Sequence, residues 1–192
     1  MSNPLFLAPN QITLLRLIFI PFIVINVLEG TYIYALVLFV LAGLSDALDG
    51  TLARLLKQKS TLGQYLDPIA DKLLLSTLFL VLSLQQKIPW KFTVLVFSRD
   101  LCILVTAAVL YAVTSLRDFR PSVFGKANTV AQVGAIFFVL LSEIYSEPVI
   151  WYAGRLLLWV TLVLTIVSGL HYVVLAGQRT AQQDKGRTTA AR

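Results

Sequence analysis

Six stretches of this chain, about 11–28, 32–55, 62–84, 91–115, 124–143 and 149–175, are apolar and long enough to cross a bilayer, which takes roughly 20 helical residues. Inside hydrocarbon every backbone polar group must find its partner within its own segment, so such a chain folds as a helical bundle. With 57% hydrophobic and 14% charged residues among 192, too little polar surface exists to wrap a water-soluble core of this size. The fold expected is therefore an all-α integral membrane protein of six transmembrane helices. It makes one six-helix transmembrane domain over residues 1–177, followed by a polar, disordered cytoplasmic tail at 178–192.

Punctuation between the segments is clear. Glu29-Gly30 separates the first pair, Gln85 to Pro89 the third and fourth, Arg117 to Pro121 the fourth and fifth, and Ser146-Glu147-Pro148 the last two. Basic residues cluster at Arg54, Lys57 and Lys59, at Arg117, Arg120 and Lys126, and in the tail. The other side of the bundle carries Lys87, Lys91 and Arg155 with Glu29, Glu143 and Glu147. The positive-inside rule then puts both termini and the second-to-third loop in the cytoplasm of a cell whose inner membrane holds the protein. Trp90, Trp151 and Tyr152 suit an aromatic belt on the far face. The net charge of +6 suits anionic lipid headgroups and marks no nucleic-acid partner, because the basic residues form no soluble patch. Met1 to Asn10 lacks Lys and Arg and contains Pro4 and Pro9, so no cleavable signal peptide is expected. The single cysteine, Cys102, excludes an internal disulfide and is expected to pack inertly.

Against this background four carboxylates stand out: Asp46, Asp49, Asp67 and Asp71, in or beside apolar helices. A charge there is expensive unless a cation, a partner or a water-filled cavity receives it. No adjacent basic run matches all four, so a bound divalent ion is the natural compensation, and all-oxygen ligands favour Mg²⁺, Mn²⁺ or Ca²⁺ over zinc. Asp46, Asp49, Gly50 and Ala53 fall at i, i+3, i+4 and i+7, one face of one helix. Gly63, Asp67 and Asp71 repeat that design on the next helix at i, i+4 and i+8. The two helices run in opposite directions, so both pairs reach similar depth. Two local readings compete at the third helix. Asp67-Pro68 can be an N-cap with proline at the first helical position, or Thr61-Leu62-Gly63-Gln64 can start the helix earlier as a capping box; the earlier start is preferred.

Basic residues within helices are few. Arg16 either snorkels to the nearby interface or serves the site. Lys72 points about 100° away from Asp71 and reads as an interface cation. Arg99-Asp100 lies near mid-helix, as a buried ion pair between helices or as a functional pair.

The pattern Asp46-x2-Asp49-Gly50-x2-Ala53-Arg54-x8-Gly63-x3-Asp67-x3-Asp71 resembles the motif of the CDP-alcohol phosphatidyltransferase family at every defined position. Pro9-Asn10-x2-Thr13-x2-Arg16 also looks like the way that family begins its first helix. The resemblance implies an enzyme that transfers a phosphatidyl group from CDP-diacylglycerol to an alcohol, releasing CMP, with a two-metal Mg²⁺ or Mn²⁺ site. It makes Asp46, Asp49 and Asp67 metal ligands, and Asp71 a metal ligand, the catalytic base that takes the acceptor's proton, or both. Arg54, Gly50, Ala53, Gly63, Asn10 and Thr13 would hold the CDP moiety, and the protein would be a homodimer in phospholipid biosynthesis.

For the acceptor, Pro121-Ser122-x2-Gly125-Lys126-x2-Thr129-x2-Gln132 resembles the branch of the family whose acceptors are glycerol-3-phosphate or phosphatidylglycerol. Arg120, Lys126 and Arg99 are the candidate acceptor-binding residues, with Asn128, Thr129 and Gln132 continuing a polar stripe. Arg120 and Lys126 also fit plain positive-inside topology. Glycerol-3-phosphate is the expected acceptor, giving phosphatidylglycerophosphate; Ser98-Arg99-Asp100 leans toward phosphatidylglycerol and a cardiolipin product. An intramembrane prenyltransferase would need more helices and lacks the Gly-x2-Ala-Arg continuation. A cation transporter leaves Arg54 unexplained.

Overall fold

The computed structural model describes the backbone of residues 8–56, 61–113 and 123–190, and side chains over 14–45, 69–102, 105 and 125–169. Six helices follow in order: α1 Ala8–Leu28, α2 Tyr32–Leu56, α3 Thr61–Leu84, α4 Trp90–Val113, α5 Val123–Ile144 and α6 Pro148–Ala190. No strand occurs among the described residues.

Two of the turns are closed in the same way. Gly30, at φ +75°, follows α1, its N–H donating to Val27 O (3.2 Å) while Thr31 N–H donates to Asn26 O (2.9 Å). That is a Schellman cap, which satisfies the last carbonyls of the helix and needs a left-handed residue. Gln86, at φ +58°, does the same after α3, with bonds to Ser83 O (3.0 Å) and, through Lys87 N–H, to Leu82 O (2.8 Å). A residue with a Cβ holds that conformation at a cost.

The helices close into a ring in the order α1, α2, α5, α6, α4, α3, and α3 also touches α5 across the middle. The bundle is thereby split into two compartments, one between α1, α2, α5 and α3 and another between α3, α4, α6 and α5. Its apolar core, including Ile23, Phe39, Leu78, Phe79, Leu82, Ile136 and Leu140, is built from the inward faces of these helices. At Gly154 of α6, an added Cβ would stand 3.5 Å from the Phe138 backbone of α5, so those two helices pack at ordinary contact through a small residue. Ser83 and Thr93 share a buried hydrogen bond, and Thr93 O–H donates to Phe79 O (3.2 Å), pinning α3 to α4.

The outer surface is apolar in a way no water-facing bundle tolerates. Ile18, Phe22, Ile33, Val37, Leu101, Val130, Leu156 and Val163 are all exposed. Among the described residues, Gly125–Ile144 and Pro148–Gly169 are long and apolar enough to cross a membrane, and Leu14–Leu28 and Tyr32–Ser45 are shorter apolar stretches.

The backbone of α6 is helical through Ala190. Cys102 is exposed on α4 instead of packed inside. Of the two readings of Arg16, its burial at 1% exposure removes snorkelling.

Candidate functional site

α3 is helical from Thr61, as the earlier of the two sequence readings requires, so Gly63, Asp67 and Asp71 sit on one continuous helix at one-turn spacing. α2 likewise carries Asp46, Asp49, Gly50, Ala53 and Arg54 on unbroken helix. The side chains of these α2 residues, of Gly63 and Asp67, and of Asn10 and Thr13 on α1 lie outside the described residues, as does Arg120 altogether. Asp71 is described, and it lines a cavity of about 440 Å³.

That cavity occupies the first compartment and draws at least one polar or small residue from each of its four helices. Arg16 comes from α1, Gly43 from α2, Asp71 from α3 and Thr129 from α5, between apolar walls that include Phe39, Leu74, Leu75 and Phe137. Gly43 matters because it leaves the α2 backbone open to the cavity, with nothing within 4 Å of an added Cβ. By helix register Asp46 lies one turn beyond Gly43, and Asp67 one turn before Asp71. The four sequence-chosen carboxylates therefore belong to the two helices that flank one end of this cavity.

All-oxygen donors on two antiparallel helices, beside a half-buried carboxylate and a cavity, fit a hard divalent cation. Among the described residues no three His, Cys, Asp or Glu side chains cluster; three of the four expected ligands fall outside that set.

The second compartment holds a polar network that the sequence reading saw only in part. Lys72 of α3 reaches Asp100 of α4, Nζ to Oδ1 at 2.6 Å, and Arg99 Nη1 donates to the same oxygen at 2.7 Å. Arg99 Nε–H donates to Ser168 Oγ of α6 (3.2 Å), and Ser168 O–H donates to Thr165 O (3.1 Å). Thr165 O–H in turn donates to Asn128 Oδ1 of α5 (3.2 Å). Arg99 and Asn128 are buried, where an unmatched polar group is costly; the network pairs Arg99 and the Asn128 Oδ1, while the Asn128 amide nitrogen is left without a partner among the described residues. Lys72 is thus more than an interface cation, and the ion pair between helices is Lys72–Asp100.

The stripe expected to run Lys126, Asn128, Thr129, Gln132 divides between the compartments. Thr129 faces the cavity, Asn128 turns to α6, and Lys126 is exposed in the first turn of α5. Ser168 and Thr165 were missed because their partners lie 69 and 37 residues away in sequence; their only local signal is the Thr161, Thr165, Ser168 spacing along one face of α6.

A profile of CDP-alcohol phosphatidyltransferases matches residues 6–167. The chain belongs to the CDP-alcohol phosphatidyltransferase family. Its relatives include the cardiolipin synthase (CMP-forming) of Rattus norvegicus, 31% identical over 207 residues, covering 97% of this chain and 66% of the relative. The CDP-diacylglycerol–glycerol-3-phosphate 3-phosphatidyltransferase of Bacillus subtilis (strain 168) is 31% identical over 183 residues, 88% of this chain and 94% of its own. That of Aquifex aeolicus (strain VF5) is 32% identical over 173 residues, with 87% and 94% covered. The chain spans just under two thirds of the length of the rat and human cardiolipin synthases it matches. The family consists of membrane proteins, in keeping with the apolar exterior.

Proposed function

We propose that this protein transfers the phosphatidyl group of CDP-diacylglycerol to glycerol-3-phosphate, giving phosphatidylglycerophosphate and CMP. The observation that carries the reading is the four-helix cavity that joins Arg16 and Asp71 at the end flanked by the α2 and α3 carboxylates. Two bacterial relatives that match nearly end to end carry the name of this activity.

In the reaction, the acceptor hydroxyl oxygen forms a bond to the β-phosphorus. The bridging bond to the α-phosphate breaks, and CMP leaves with the electron pair. Asp71 takes the hydroxyl proton. Asp46, Asp49, Asp67 and Asp71 would hold two Mg²⁺ or Mn²⁺ ions, whose charge neutralises the diphosphate and the departing CMP. Arg54 would contact the nucleotide phosphates, Gly50, Ala53 and Gly63 would leave room for cytidine, and Asn10 and Thr13 at the start of α1 are further candidates to hold the CDP moiety. Arg16, buried in the cavity wall, supplies a further positive charge to the phosphates. Arg120 and Lys126 are the candidates for the acceptor phosphate, whereas Arg99, held by Asp100 and Ser168 in the other compartment, serves the packing of α4 on α6. All six helices span the inner membrane, with the termini and the site toward the cytoplasm, and the protein is a homodimer.

A second reading takes phosphatidylglycerol as acceptor, making cardiolipin. It is favoured by the Arg99-Asp100 pair and by the rat relative, which matches 97% of this chain. Purified protein given labelled CDP-diacylglycerol with each acceptor in turn decides between them. Release of CMP with glycerol-3-phosphate supports the proposal; release only with phosphatidylglycerol replaces it with the second reading.

A further inference from the structure

At the end of the bundle away from Asp71, the first half of α6 presents Trp151, Arg155, Trp159 and Val163 at four-residue spacing, one exposed face. Asp71 precedes the last residue of α3 by 13 positions, so this end stands roughly 20 Å along the helix from it. Two cations sit over aromatic rings. The Arg155 guanidinium is 5.0 Å from the Trp151 ring centre, and Lys91 Nζ of α4 is 4.5 Å from that of Trp159 and 5.2 Å from that of Phe92. Phe92 meets Trp159 edge-on at 5.5 Å, fixing the platform beneath Lys91.

Neither cation has a carboxylate partner among the described residues, although Lys87, at the same end, is paired with Glu143. Arg155 and Trp159 are one helical turn apart, so the two positive charges border one patch. Directly along α6 from that patch, Trp159, Val160, Val163 and Leu164 line an apolar groove of about 290 Å³. A positive patch at the head of an apolar groove matches one chemistry: a phosphate-bearing head with net negative charge on an acyl chain. The groove runs from Trp159 to Leu164, about 8 Å at 1.5 Å per residue, and Ile166 and Val167 continue the exposed apolar side beyond it, enough for the upper part of such a chain.

We infer that Lys91 and Arg155, with the Trp159 groove, form a binding site for one anionic glycerophospholipid, separate from the cavity that holds Asp71. A zwitterionic lipid brings its own ammonium and gains less from two unpaired cations. The ring contacts hold both side chains in place before the lipid arrives, which lowers the ordering cost of binding.

All three tryptophans, Trp90, Trp151 and Trp159, sit at this end, so their fluorescence reports this site and not the distant cavity. The full chain is reconstituted in phosphatidylcholine bilayers containing a minor fraction of either brominated phosphatidylglycerol or brominated phosphatidylcholine. The expected result is quenching by the brominated anionic lipid equivalent to roughly tenfold enrichment over its bulk fraction, and bulk-level quenching by the zwitterionic one. In Lys91→Gln/Arg155→Gln, or in either single variant should the double fail to fold, that preference falls toward bulk. Equal quenching by the two lipids in the wild type, or a preference untouched by the substitutions, overturns the proposal. Exclusion of both lipids together with a dimeric mass would assign the face to a second copy of the chain and overturn it equally.

Discussion

Lys72 of α3 and Asp100 of α4 are joined at 2.6 Å, through the same carboxylate oxygen that receives Arg99 at 2.7 Å. One negative charge therefore holds two positive ones, and the Lys72 end of this clamp is the residue next to Asp71. Removing the carboxylate strands the buried Arg99, whose side chain is 7% exposed, while Lys72, at 37%, can turn to water or headgroups. Asp100→Asn is expected to cost about 2–4 kcal/mol of stability, chiefly through Arg99, and Lys72→Met clearly less. Thermal unfolding in one detergent checks the order; equal melting of Asp100→Asn and wild type would remove the clamp from the account.

The two Schellman caps give a paired prediction. Gln86 holds φ +58° with a side chain that resists it, so Gln86→Gly should stabilise the protein by up to about 1 kcal/mol. Gly30→Ala should cost a similar amount, about 1 kcal/mol, although an added Cβ there would meet nothing within 4 Å. Opposite signs for the two substitutions in denaturation experiments are the expected outcome.

The Lys87–Glu143 pair predicts how stability responds to alkali. The hydrogen bond to Glu143 raises the Lys87 ammonium above its ordinary value of 10.5, aided by the Glu143 charge and by Tyr32 and opposed by burial. A group whose folded pKa is raised stabilises fully below its unfolded value and loses that contribution as pH climbs through the folded one. The difference in Tm between wild type and Glu143→Gln should therefore hold steady through neutral pH and shrink above 10.5. A difference that stays constant into strong alkali would contradict the assignment.

Much of this arrangement was legible in the sequence, for reasons that can be named. Apolar runs broken at Glu29-Gly30 and Gln85 to Pro89 mark helices because backbone in lipid leaves no alternative. Thr61 to Gln64 marked the start of α3, and the unbroken backbone of α2 and α3 keeps the helical spacing read for Asp46 with Asp49 and for Asp67 with Asp71. What the sequence hid is what depends on other helices. Lys72 looked like a surface cation because its partner, Asp100, is 28 residues away. Arg16 looked able to reach the interface, but the ring of helices closes over it. Thr129 and Asn128 are neighbours in sequence, yet they serve different compartments because α5 lies between α2, α3 and α6.

The most direct test of the central claim is CMP release from CDP-diacylglycerol by the purified protein with glycerol-3-phosphate, measured with Mg²⁺ or Mn²⁺, in EDTA, and in Asp71→Asn. The account predicts release that needs both acceptor and divalent ion, and a fall of roughly 10²-fold or more in Asp71→Asn, since an electrostatic clamp or base is worth several kcal/mol in the transition state. Undiminished release in EDTA or in folded Asp71→Asn, or no release from CDP-diacylglycerol with any alcohol acceptor, would contradict it.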